Sequence, residues 1–99
     1  MASREVSLSV NDMSIEIDYF VQGFIDHTIS GILAALEGTG EIKSLVLSIQ
    51  GDKVTINLNN ASVPINPFVN KIIRSTIAGM VSSLKGVKEI NKMNISIRR

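Results

Sequence analysis

Ninety-nine residues are enough for one domain with a modest core and no covalent staples. Ten Lys and Arg against nine Asp and Glu, with one His and no Cys, offer no electrostatic hold on nucleic acid or an anionic membrane, and exclude disulfides, thiol nucleophiles and thiolate metal sites. The start, MASREVSLSV, lacks the basic and unbroken apolar regions of a signal peptide, and the most apolar stretch, 19–36, is interrupted by Gln22, Asp26, His27 and Ser30, so neither secretion nor a membrane span is expected and a cytoplasmic location is.

In chain order, Val6, Leu8 and Val10 alternate on even positions, whereas Met13, Ile15 and Ile17 alternate on odd ones. One straight strand would send the two sets to opposite faces. A two-residue turn at Asn11-Asp12 removes the conflict by setting Val10 opposite Met13, Leu8 opposite Ile15 and Val6 opposite Ile17. Asn and Asp tolerate the positive φ such turns need. Asp18 then stands where a helix N-cap should be, and Gly38 where that helix should stop. Leu45, Leu47 and Ile49 mark a third strand. A turn at Gly51-Asp52 predicts the pairs Ile49/Val54, Leu47/Ile56 and Leu45/Leu58. A second hairpin follows at Asn59-Asn60, pairing Leu58/Ala61, Ile56/Val63 and Val54/Ile65. Asn66 caps a second helix that begins at Pro67, where the missing N–H costs nothing, and is predicted to end at Gly86. Met93, Ile95 and Ile97 give the last strand.

This order says the same thing twice. YFVQGFIDHTISGILAALEGTGEI (19–42) lies without a gap over PFVNKIIRSTIAGMVSSLKGVKEI (67–90), and the strands on either side align at the same offset. The chain therefore predicts one α+β domain, 1–99, built from two ββαβ units (about 5–50 and 53–98), with about six mostly antiparallel strands and two helices packed on the sheet. If the copies behave alike, the last strand pairs with the first. Pro64 marks its strand as a sheet edge, and Glu16 puts a charge at the equivalent place. How the three-stranded halves join is left open. The alternative is a ferredoxin-like βαββαβ order, which requires bulges in place of the two hairpins.

Each helix carries more apolar surface than one sheet face consumes. Phe20, Val21, Phe24, Ile25, Thr28, Ile29, Ile32, Leu33 and Leu36 span roughly 220° at ~100° per residue, and the second helix repeats the arc from Phe68 to Leu84. A stripe of somewhat over 100° would do. Leu33 and Val81 stand at one border of the arc, with Phe20, Gly31, Phe68 and Gly79 at the other. These six are the candidate interface residues of a homodimer.

No constellation for catalysis stands out. His27 and Asp26 are helix neighbours that point about 100° apart. One His without Cys makes no zinc site. EGTGE (37–41) closes a helix instead of opening one, and SSLK (82–85) lacks every companion motif of a serine hydrolase. The polar strand face of Ser7, Ser9, Ser14, Ser48, Thr55, Asn57, Asn94 and Ser96 lacks the aromatics that RNA-reading sheets use, and Lys88, Lys92, Arg98 and Arg99 are too few for a basic stripe. No cofactor, metal or nucleic acid is expected. The reading is a non-catalytic, self-associating interaction module. The alternative is a small protein that binds an apolar, lipid-like molecule between helices and sheet.

Overall fold

The computed structural model describes residues 5–37, 42–84, 87 and 89–98. Strands β1 (Glu5–Val10) and β2 (Met13–Ile15) lead into helix α1 (Tyr19–Glu37). Strands β3 (Ser44–Gln50), β4 (Lys53–Leu58) and β5 (Ala61–Ser62) then precede helix α2 (Pro67–Ser82) and strand β6 (Lys92–Arg98). All six strands form one antiparallel sheet in the order β2-β1-β6-β3-β4-β5. This is the α+β class expected, with the first and last strands paired.

Both hairpins form where the parity change demands them. Asn11, Asp12, Asn59 and Asn60 all take positive φ, between 50° and 68°, the left-handed values of a tight two-residue turn. Leu8 faces Ile15 and Val10 faces Met13, and Leu58 faces Ala61, with Val63 N–H donating to the Ile56 carbonyl at 2.9 Å. The ferredoxin-like alternative, which needed bulges here, is not formed. Two expected pairs fail: the ladders end before Val6/Ile17 and Val54/Ile65, and Ile17 and Ile65 lie beyond the strands, half-buried against the core. β2 and β5 are short outer strands, with exposed Glu16 and Pro64 just past them, where a charge or a missing donor discourages further pairing.

The turn at Gly51, φ +60°, sets Ile49 against Val54, Leu47 against Ile56 and Leu45 against Leu58. The halves join through β3 and β6, which pair as Leu45↔Ile97, Leu47↔Ile95 and Ile49↔Met93. Across β1 and β6 the pairs are Val6↔Ile97, Leu8↔Ile95 and Val10↔Met93. Every one of these apolar residues but half-buried Leu58 is buried, so they share one sheet face. The helices cover that face, with α1 over β1 and α2 over β4. The shortest dimension, 19 Å, fits one helix layer on one sheet.

Turn asparagines fasten the sheet as well as bending it. The Asn11 side-chain oxygen accepts from the backbone N–H of Asn91 (2.9 Å) and Lys92 (3.0 Å). Its amide donates to the Glu89 carbonyl at 2.6 Å. Asn59 likewise accepts from Lys43 and Ser44 N–H at 2.9 and 3.0 Å. Each turn thereby fixes the start of the strand beside it, satisfying backbone donors that no ladder reaches.

The helix starts are as expected. Asp18 and Asn66 side chains each accept from the N–H three residues on, Val21 and Val69, both at 2.8 Å, and Pro67 opens α2. The second helix stops sooner than expected, at Ser82 instead of Gly86. Ser82 and Ser83 hydroxyls fold back onto the Gly79 carbonyl at 3.0 and 3.1 Å, and Ser83 caps the end. Such back-bonding satisfies a terminal carbonyl and competes with another helical turn. Gly38 and Gly86, the expected stop signals, lie outside the described residues.

Candidate functional site

Side chains on the inward side of each helix are spent on the core. Ile25, Ile29 and Leu33 of α1 and Ile73, Ile77 and Val81 of α2 are buried. Leu33 (4% exposed) and Val81 (0%) were placed on the arc border as interface residues; instead they sit over the sheet. On α1 the buried stripe also takes in Asp26, 2% exposed, which accepts from the half-buried Ser30 hydroxyl at 3.3 Å. Both helices turn the same way, so the buried stripes centre on Ile29 and Ile77 and away from the phenylalanines.

The other border turns outward. Phe20 is 73% exposed and Phe68 71%, and Gly31 and Gly79 are exposed, with nothing within 4 Å of where a Cβ would stand on either. The glycines therefore face open space, and no crossing of α1 on α2 within the chain uses them. Tyr19, Phe24 and Ile72 are exposed large side chains too; Phe24 and Ile72 belong to the sequence arc but not to the expected interface. The i, i+4 spacing of Phe20 and Phe24 was the signal for them, since that spacing puts both on one face. Their ring centroids lie 6.1 Å apart, tilted by 46°, within the range where aromatic pairs attract.

Around this pair, Tyr19, Phe20, Gly23, Phe24, His27 and Thr28 line an open depression of about 670 Å³. Its wall is aromatic and its floor small, because Gly23 contributes no side chain. His27 points outward into it, while Asp26 points inward, so the two do not meet. The depression is lined by three aromatic rings, one imidazole and one hydroxyl-bearing threonine. Among the described residues no three His, Asp or Glu side chains group closely enough to hold a metal ion.

The opposite surface of the molecule is the uncovered sheet face. Ser7, Ser9, Ser14, Ser48, Thr55, Asn57, Asn94 and Ser96 occupy it as expected, with Val46 the one large apolar residue exposed there. The Ser48 hydroxyl donates to Asn94 Oδ1 at 2.6 Å. All four aromatic residues, Tyr19, Phe20, Phe24 and Phe68, are on helices, so this face offers no ring for a base to stack on. Of the basic C-terminal residues, Lys92 is paired with Asp12 at 2.9 Å and Arg98 is exposed; Lys88 and Arg99 lie outside the described residues, as do Lys85 of SSLK and most of EGTGE. No described helix is long and apolar enough to cross a membrane.

The space proposed for an apolar ligand, between helices and sheet, is filled where it can be described. Ile25, Ile29, Ile77, Leu47, Ile95 and Ile97 have 0% accessible surface, so no water-sized void lies against them. Comparison with protein-family models, with curated proteins and with solved structures returns no match.

Proposed function

We propose that this chain is a non-catalytic interaction module that self-associates as a homodimer through the outer faces of its helices. One observation carries the reading: Phe20, Phe24 and Tyr19 stand together, exposed, on a helix whose inward side already has its full complement of core contacts. Contiguous apolar patches of a few hundred Å² on a small soluble chain commonly mark a contact surface. Phe68 and Ile72 extend the same chemistry to α2.

The self-associating unit is a duplicated ββαβ fold. Support comes from register: Val6↔Ile97 and Ile49↔Val54 are related by the offset that superposes the two sequence copies, and so are Leu8↔Ile15 and the Val63–Ile56 hydrogen bond. The central pair Leu47↔Ile95 maps onto itself under that offset, as a residue pair on a twofold axis does.

Light scattering across a wide concentration range tests the association. The mass should rise from 10.7 kDa toward twice that value. Phe20→Lys and Phe24→Lys should hold it at the lower figure with circular dichroism unchanged, because both side chains are outside the core. A wild-type mass that stays at one chain at millimolar concentration overturns the proposal. Native mass spectrometry of the same sample would reveal a retained small molecule, which would transfer the patch to an apolar ligand.

A further inference from the structure

We infer that two copies meet by laying α1 on α1 in antiparallel sense, about a twofold axis between His27 and Thr28; this rests on the self-association proposed above. The outward stripe of α1 changes size along its length. Its first half carries Phe20 and Phe24, its second half Gly31, Ala34 and Ala35, all exposed. A stripe that is bulky at one end and bare at the other is complementary to itself when reversed. An isologous contact requires that property, because the same patch must serve both partners.

The spacing agrees. Phe24 and Gly31 are seven residues apart, about 10 Å along a helix. Reversal about their midpoint sets Phe24 against the partner's Gly31, Phe20 against the partner's Ala35, and His27 against the partner's Thr28. A Cβ on Gly31 would meet nothing within 4 Å in its own chain. The absent side chain is therefore not required by the chain's own packing, and the gap it leaves is available to a partner's ring.

Charge and area point the same way. Between residues 20 and 35 the one acid is Asp26, which is turned inward, and no Lys or Arg occurs. The corresponding stripe of α2 carries exposed Lys71, Ser75, Thr76, Ser82 and Ser83, a poorer surface to desolvate. Taking roughly 200 Å² for a whole aromatic residue, the exposed parts of Tyr19, Phe20 and Phe24 come to about 400 Å² per copy. Two copies supply about 800 Å² before the rest of the stripe is counted, against the ~1,000 Å² total of a specific interface.

Gly31→Leu and its counterpart Gly79→Leu separate this geometry from self-association in general. Both add a side chain to open surface, so both monomers should melt at or above the wild-type temperature. Gly31→Leu should weaken dimerisation at least tenfold by sedimentation equilibrium, and Gly79→Leu should change it less than twofold. The chain has no cysteine, so His27→Cys and Ser75→Cys each give a single thiol. Mild oxidation should link His27→Cys into a covalent dimer and leave Ser75→Cys unlinked. A dimer that tolerates Gly31→Leu and fails to link through His27→Cys refutes the α1 crossing while leaving self-association standing. A dimer broken by Gly79→Leu instead would move the seam to α2. A wild-type chain that never dimerises refutes both readings together.

Discussion

Asn11→Ala is the sharpest probe of how the sheet is assembled, because one side chain carries three separable duties. Asn11 holds φ +50°, a left-handed value that costs an ordinary L-residue about 1 kcal/mol. Its side chain also makes three hydrogen bonds to the backbone that leads into β6. All are exposed, so water recovers part of their loss and the net worth sits at the low end, about 0.5 kcal/mol each. Two of them share one acceptor oxygen, which lowers the side-chain share to about 1 kcal/mol. The expected loss for Asn11→Ala is therefore about 2 kcal/mol, or about 10 °C in melting temperature for a domain of this size. Asn11→Gly removes the conformational penalty but adds chain entropy, and should cost about 1.5 kcal/mol. Asn11→Asp keeps the acceptor and the turn preference, and should lose least. Urea titrations followed by circular dichroism, at one fixed protein concentration so that association does not shift the midpoint, give the three values. An Asn11→Ala loss below about 0.5 kcal/mol, the scatter of ordinary surface substitutions, would mean that the strand starts are held by something other than this clamp. So would a ranking in which Asp is the worst of the three.

Other outcomes follow from burial. Leu47→Ala, in the central pair with no exposed surface, should destabilise by about 3–5 kcal/mol in a urea melt, near the whole stability of a small domain. Val81→Lys should fail to fold, since it buries an unpaired charge, whereas Phe20→Lys should keep its circular dichroism spectrum. Gly79→Ala should raise stability by up to about 1 kcal/mol, because it improves helix propensity at a site where the new methyl touches nothing. Gly51→Ala should lower it by about 1 kcal/mol through the positive φ alone.

Local chemistry carried most of the fold's signal. Parity switches at 11–12 and 59–60 named both hairpins, and Asp18, Asn66 and Pro67 named both helix starts, because each of these is settled by its nearest neighbours. The join between β3 and β6 was not legible. Leu45, Leu47 and Ile49 match Met93, Ile95 and Ile97 in period, but so does every other strand, and period alone does not select a neighbour. Helix rotation was misread for a different reason. Taking the middle of each apolar arc as the middle of the buried stripe set the inferred centre off by roughly 70°, which put Leu33 and Val81 at a border they do not occupy. The aromatic patch was half legible: the surplus of apolar arc announced it, but only burial told Phe24 from Leu33.

The position of β6 has a consequence for how the chain is made. It is the last of the eight described elements, yet it occupies the middle of the sheet, between β1 and β3. Until it emerges from the ribosome, β1 with its hairpin and β3 with β4 have no strand to connect them, and α1 has only a partial platform. The growing chain must hold Leu8, Leu47 and their neighbours unsheltered while it waits. Closure then joins residues as far apart as Glu5 and Arg98, a long-range step of the kind that slows folding. Such an order delays closure of the sheet until residues 92–98 have been made, and it makes β6 the one segment whose delay would leave both halves open to pairing with another molecule.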